Sequence, residues 1–238
     1  MSRQRDLIPQ VYERLLAVYG PQGWWPGDDS AFTVVVGAIL TQSAAWANVE
    51  KALANLERAG ALSPRGLLGL SEEELARLVR PSGYYNAKAR KLRAFAEMLA
   101  VDFGGSLERL FSLPLEALRA HLLATHGIGP ETADDILLYA ARRPVFVVDA
   151  YTRRIFSRLA LRPERQAYEN WQALFTSALP RDVTLFNEYH AVLVRHAKVA
   201  CRRVPLCEGC CLLGLCPTGQ SALKVMPSRT EASASESA

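Results

Sequence analysis

Lysine is scarce in this 238-residue chain: Lys51, Lys88, Lys91, Lys198 and Lys224 are its five, and the rest of its 28 basic side chains are arginines. The net charge of +4 permits a polyanionic partner without demanding one. Long apolar runs are missing too. No segment reaches the roughly 18 residues that a bilayer span needs, and the opening MSRQRDLIPQ has no apolar signal-peptide core. The expectation is a soluble, intracellular protein without a membrane partner. Cysteine is absent before position 201, and all five cysteines fall between Cys201 and Cys216. Such crowding is a poor way to distribute disulfides and a natural way to hold a metal. Strand-like runs are nearly absent: the best candidate, Pro144 to Val148, is too short and solitary to build a sheet.

Helical periodicity fills the space those absences leave. Apolar residues recur three and four apart, as in Leu118, Leu122 and Leu123 or Ile136, Leu137 and Ala140. AFTVVVGAILTQSAAWANVEKALANLERAG reads as one long helical stretch, and glycine and proline pairs punctuate the remainder into short connections. The fold class is therefore all-α. From about Thr218 the composition shifts to Ser, Ala and Glu, which reads as a disordered tail at 218–238.

The stretch HGIGPETADDILLYA sets a tight turn before an amphipathic run. One helix ends near Thr125, Gly127 and Gly129 allow a close turn around Ile128, and Pro130 suits a first helical residue. The free backbone amides at the start of the next helix would then form a site for a phosphate. An ordinary helix–turn–helix connection would look the same.

The hairpin is followed about twenty residues later by an acid, Asp149, in VFVVDAYTRRI. Together these resemble the helix-hairpin-helix DNA glycosylase superfamily, and from about Leu7 to Pro217 the order of motifs is similar to that of its endonuclease III-like members. The resemblance implies that Gly127, Ile128, Gly129 and Thr132 contact DNA and that Asp149 is the catalytic acid. Breaking a base–sugar bond leaves positive charge on the sugar, which a carboxylate stabilises while it orients or deprotonates a water. Asp149 also suits a plain helix N-cap before AYTRRIFSRLA, and the two roles are compatible.

Family members that also cut the strand carry a Schiff-base lysine one residue before the Thr-Ala pair of the hairpin. Here that position is Glu131, which cannot form an imine. Glutamate there is similar to a subgroup related to bacterial 3-methyladenine DNA glycosylases, which are monofunctional and use water. Glu131 is also a favourable charge at a helix N-terminus, as are Asp134 and Asp135.

Expelling a base leaves a gap that side chains must fill. ILTQSAAWANVEKAL resembles the family stretch whose glutamine plugs that gap, and Gln42 matches the glutamine. PSGYYNAKARKL resembles the family's second insertion loop, with Tyr84 at the wedge position and Tyr85, Asn86 and Lys88 following as in relatives. Trp46, four residues beyond Gln42, would share its face on a continuing helix and joins Glu131 as a base-pocket candidate; core burial explains a tryptophan equally well. Trp24 and Trp25 are open to the same two readings.

CRRVPLCEGCCLLGLC spaces Cys201, Cys207, Cys210 and Cys216 as C-x5-C-x2-C-x5-C, with Cys211 spare or substituting for Cys210. Four thiolates so close suit one tetrahedral zinc or an iron–sulfur cube. The resemblance implies a [4Fe–4S] cluster, although the family's first gap is six residues and this one is five. Lys198, Arg202 and Arg203 would supply phosphate contacts. His190 and His196, six apart, do not share a helix face and read as structural.

The resemblance thus implies two helical domains flanking a DNA-binding cleft: a six-helix barrel over 24–133 ending in the hairpin, and a second domain of 1–23 plus 134–217 with the cluster loop. The expected partner is double-stranded DNA containing a damaged base, and the protein is expected to be a cytoplasmic monomer, nucleoid-associated if bacterial. Base release by a monofunctional glycosylase is the leading reading. A bifunctional glycosylase/lyase that recruits another amine, or a catalytically silent DNA-structure binder, are the alternatives.

Overall fold

The computed structural model describes residues 2–24 and 30–225, and of residues 2–5 and 225 the backbone alone. Every regular element among them is helical, and none of these helices is long and apolar enough to cross a membrane. Pro144 to Val148 has no regular secondary structure, and its last four residues are buried. Trp25 lies outside the described residues.

The chain divides into two compact units, one of residues 23–147 and 181–187 and the other of residues 1–22, 148–180 and 188–238. The first, called here the hairpin unit, is organised on α2 (Ala31–Thr41). This helix is apolar all round, and a helix of that kind must be covered on every side; Val35, Val36, Ile39 and Leu40 are completely buried. Around it stand α3 (Trp46–Arg58), α4 (Pro64–Leu68), α5 (Glu72–Val79), α6 (Tyr85–Phe103), α7 (Leu107–Phe111), α8 (Leu115–Ala124) and α9 (Pro130–Asp135). Serine caps set several of the starts. Ser71 and Glu74 form a reciprocal capping box on α5, while Ser63 and Ser106 accept the Gly66 and Arg109 amides.

Two features of this unit differ from the sequence expectation. The long stretch from Ala31 is two helices, because it breaks at Gln42–Ala45 with Ser43 in the left-handed region at φ 53°. The unit also continues past residue 133: α9 runs into a single wider π-type turn, Ile136–Ala140, closed by Ala141 N–H to Ile136 O at 2.9 Å. Ile136, Leu137 and Val145 are buried in the same core as α2, so the division falls at 147/148 rather than 133/134.

The second unit, called the cysteine unit, contains α1 (Ser2–Tyr19), α10 (Ala150–Arg158), α11 (Tyr168–Thr176), most of α12 (Val183–Val199) and α13 (Pro217–Val225). Aromatic rings fill it. Phe156 and Phe175 meet edge to face at 4.8 Å, Phe175 and Tyr189 at 6.2 Å, and Tyr189 meets Tyr12 at 4.9 Å, separations at which ring quadrupoles attract. The buried Tyr189 hydroxyl donates to Ile8 O at 2.6 Å and ties α12 to α1. α13 overturns the expected tail over 218–225. Pro217 starts the helix, and the Gln220 amide returns to Leu213 O and Gly214 O at 3.0 and 3.2 Å. Residues 226–238 of that expected tail lie outside the described residues.

Candidate active site

The hairpin joins α8 to α9 through Thr125–Gly129, closed by Ile128 N–H to Thr125 O at 3.1 Å and by Ala133 N–H to Gly129 O at 2.9 Å. Its two glycines do different work. Gly127 has φ +81°, and a Cβ there would stand 2.3 Å from Lys91 Cγ, so conformation and crowding both demand glycine. Gly129 has an ordinary extended backbone at φ −90°, and a Cβ on it would meet nothing within 4 Å. Nothing in the unit itself requires a glycine at 129. Ile128 between them is buried and anchors the turn in the core.

Beyond the turn, Thr132 is buried and Glu131 is exposed on the first turn of α9. Asp134 is not a solvent-facing dipole charge: it is completely buried and paired with Arg119, whose Nε and Nη2 reach its two oxygens at 2.8 and 3.4 Å. This pair rivets α9 to α8, and a buried carboxylate needs such a partner.

Gln42 caps the end of α2 and turns toward the hairpin, donating from Nε2 to Thr132 Oγ1 at 3.0 Å and to Gly127 O at 3.3 Å. Its Oε1 accepts from the Lys91 amine. Trp46 does not share its face, because the break at residues 42–45 separates them; Trp46 opens α3 and lies half-buried against the core. Tyr84 is 75% exposed at the N-cap of α6 and sits in the left-handed region at φ 47°, a conformation that a bulky residue keeps only when its surroundings hold it. Lys88, one turn along α6, is buried and donates to Leu40 O at 2.8 Å and Ser82 O at 2.6 Å. Burial, with Lys91 nearby, lowers its pKa to about 8.

In the cysteine unit Asp149 is the N-cap of α10, its Oδ1 accepting the Thr152 N–H at 2.7 Å. Its Oδ2 faces His190 Nε2 at 3.6 Å. Burial pushes the carboxyl pKa up, but His190 and the Thr152 N–H oppose it and the net shift is downward. The side chain is 14% exposed. Sequence reasoning set His190 aside. The available signal was His190 and Asn187 beside the apolar run 191–194 of α12, and both prove buried.

Cys201, Cys207, Cys210 and Cys216 line one cavity together with Arg158, His196 and Gly219. Cys211 is not among the residues around it; its carbonyl accepts from Arg14 Nη1 at 3.4 Å. Arg158 gathers both ends of the loop. Its guanidinium donates to Cys201 Sγ at 3.1 Å and to Arg202 O and Arg203 O at 2.7 and 2.8 Å, while its own carbonyl accepts from Cys216 Sγ and Thr218 Oγ1 at 3.4 and 2.9 Å. His196 lies with Nε2 at 3.8 Å from Cys210 Sγ and Nδ1 at 2.9 Å from the Tyr19 hydroxyl. Burial pushes the Cys207 and Cys216 thiols up, and the neighbouring cysteines add to it. Among the described residues, no three His, Cys, Asp or Glu side chains are drawn together as ligands of a single ion.

Residues 36–181 match the profile described as HhH-GPD superfamily base excision DNA repair protein. A Methanocaldococcus jannaschii protein provisionally named a DNA repair glycosylase is 42% identical over 213 residues, covering 89% of this chain and 96% of its own. Endonuclease III of Thermotoga maritima is 30% identical over 190 residues, covering 78% and 82%. Among solved structures, the H. pylori 3-methyladenine DNA glycosylase bound to 1,N6-ethenoadenine superposes with TM-score 0.67 and 28% identity, covering 82% of this chain and 97% of that one. A non-covalent endonuclease III–DNA complex superposes with TM-score 0.80 at 20% identity, covering 92% and 98%, and shares the fold. The glycine hairpin, the acid-capped helix after it and the matched span together place the chain in the HhH-GPD superfamily of base excision DNA repair proteins.

Proposed function

We propose that this protein is a monofunctional DNA glycosylase that releases a damaged, alkylated base from double-stranded DNA by hydrolysis. The observation that carries the reading is the Asp149 carboxyl, held ionised below the ordinary carboxylate range at the start of α10 while the hairpin carries glutamate, not lysine, at position 131. A fixed carboxylate stabilises positive charge developing on the deoxyribose and takes a proton from the attacking water. With no amine at 131, that water is the nucleophile.

The other candidates take roles around this step. The hairpin backbone at Gly127–Gly129, with Ile128 seated in the core and Thr132 behind it, binds a phosphate; the space over Gly129 lets a DNA strand come close. Gln42 and the exposed Tyr84 fill the gap left by the rotated nucleotide, and a tyrosine stacked on a base contributes about 1–3 kcal/mol. The half-buried Trp46 and exposed Glu131 border the base pocket, where an electron-poor alkylated purine stacks well on indole. The 3-methyladenine activity in the name of the H. pylori neighbour supports this choice of lesion.

The four cysteines around one cavity fit a [4Fe–4S] cluster on Cys201, Cys207, Cys210 and Cys216, with Cys211 outside the set. When bound, the cluster ties the loop that carries Arg202 and Arg203 for phosphate contacts. Visible absorbance with inorganic sulfide after anaerobic purification identifies the cluster, and a colourless zinc protein refutes it. Cys210→Ser loses the cluster and Cys211→Ser keeps it.

The deciding assay offers the protein duplexes carrying single alkylated, oxidised, deaminated or mismatched bases. Release of an alkylated purine supports the proposal. Tight, salt-dependent binding without release from any duplex would make the protein a DNA-structure binder and refute it.

A further inference from the structure

Two of the five lysines, Lys88 and Lys91, stand on the first two turns of α6, whose N-cap is Tyr84. Residues 88, 91 and 95 fall at helical spacing along one face, and Phe95 on that stripe meets Phe32 of α2 at 6.3 Å. Lys88 lies against the opposite end of α2. The helices therefore run antiparallel, which brings the start of α6 beside the end of α2, where Gln42 is the cap.

Lys88 is 2% exposed, and its ammonium meets Leu40 O and Ser82 O. Among the described residues it makes no ion pair with a carboxylate. Leu40 is two residues before Gln42, and Ser82 is two residues before Tyr84. One buried amine thus fastens both main chains at the same remove from their exposed side chains. A cation at this place also complements the negative end of α2.

Lys91 acts one turn further on and on side chains. Its amine donates to Gln42 Oε1, which fixes the orientation of that amide and aims Nε2 at Thr132 Oγ1 and Gly127 O. Its aliphatic stem fills the space a side chain at Gly127 would occupy. The connection runs from Tyr84 through Lys88 to α2, and from α2 through Gln42 and Lys91 to the hairpin, all within one compact unit.

We propose that Lys88 and Lys91 are positioning residues that hold Gln42, Tyr84 and the hairpin turn as one rigid block, so that the gap in the duplex is filled in a single concerted insertion. The inference rests on the gap-filling roles given above to Gln42 and Tyr84. Neither lysine touches the reacting atoms; each acts through the residues it holds. Filling the gap with a pre-organised block avoids ordering two independent side chains at the moment of binding.

The test uses the full-length protein and a duplex with a tetrahydrofuran abasic analogue opposite 2-aminopurine, whose fluorescence reads insertion without any chemistry. Gln42→Ala and Tyr84→Ala set the reference and should each suppress the binding-induced fluorescence change. Lys91→Met should suppress it as strongly as Gln42→Ala, while Lys91→Arg restores most of it. The double variant Gln42→Ala/Lys91→Met should be no worse than either single one, the non-additivity expected of coupled residues. Single-turnover base release should fall about tenfold in Lys91→Met, the size of one lost charge-assisted hydrogen bond, with unchanged affinity for undamaged DNA. Lys88→Met should suppress both Gln42 and Tyr84 insertion; if it does not fold, the Gln42–Lys91 cycle decides alone. Additive effects of Gln42→Ala and Lys91→Met, or full fluorescence in Lys91→Met, would overturn the proposal. If Gln42→Ala and Tyr84→Ala leave the signal intact, the gap-filling reading itself fails and this proposal falls with it.

Discussion

Oδ2 of Asp149 stands 3.6 Å from Nε2 of His190, while Oδ1 of the same carboxyl takes the Thr152 N–H at 2.7 Å. One oxygen thus fixes the carboxyl to the start of α10, and the other faces a buried imidazole on α12. The candidate acid is a capping residue and a charged group at once.

These two duties separate by substitution. Asp149→Asn keeps the cap, since asparagine caps a helix as well as aspartate does, and should leave folding and DNA binding nearly intact while base release is lost. Asp149→Ala should lose base release and also about 1 kcal/mol of stability. Single-turnover release, gel-shift affinity and urea titration of the two variants give the comparison; an active Asp149→Asn would remove Asp149 from the chemistry.

His190 sets the pH range. Burial raises the Asp149 pKa and His190 heads the groups that lower it, so His190→Gln should move the acid limb of kcat/KM to higher pH. In the wild type the folded carboxyl lies below its ordinary value. It therefore contributes stability at neutral pH that is lost as the pH falls through the lowered value. A pH–rate profile with an unmoved acid limb in His190→Gln would show that the imidazole does not act on Asp149.

Glu131 makes an absence measurable. Borohydride should trap no covalent adduct between the wild-type protein and a damaged duplex, because no imine forms at this position. Glu131→Lys places an amine there and should yield a trapped adduct. A wild-type adduct would show that another amine, and with it strand cleavage, is in use.

Removing the Arg119 charge should weaken the hairpin from within. Arg119→Met leaves Asp134 buried without its charge partner, a change that costs about 3–5 kcal/mol. Urea unfolding should record it, and the double variant Arg119→Met/Asp134→Leu should recover most of the loss.

Local rules read much of this from the residues alone. The all-helical class, the hairpin between α8 and α9 and the cap at Asp149 are short-range features, set by periodicity, glycine placement and capping chemistry. The cysteine spacing likewise brought four thiols to one cavity. What escaped needed distant pairs. His190 is 41 positions from Asp149, and no local pattern links them. Asp134 looked like a first-turn charge, yet Arg119 on the preceding helix lets it be buried. The break at Ser43 had no glycine or proline to announce it, since a serine in the left-handed region is a choice that local propensity would not make. The helix from Pro217 was hidden because composition was averaged over a tail whose first part is held by Arg158 and the cysteine loop.

The two glycines of the hairpin form a matched pair of probes. A methyl group at 127 collides with the protein's own Lys91, so its cost is felt before any DNA arrives. A methyl at 129 projects into emptiness, so the free protein should register no clash, only the poorer capping of alanine at the start of α9, about 1 kcal/mol. Gly129→Ala therefore works as a feeler pointing outward: any loss of duplex affinity in the folded variant belongs to whatever comes to rest against the turn. A slightly lowered melting temperature with strongly weakened duplex binding would mark residue 129 as the place where the partner's backbone lies closest.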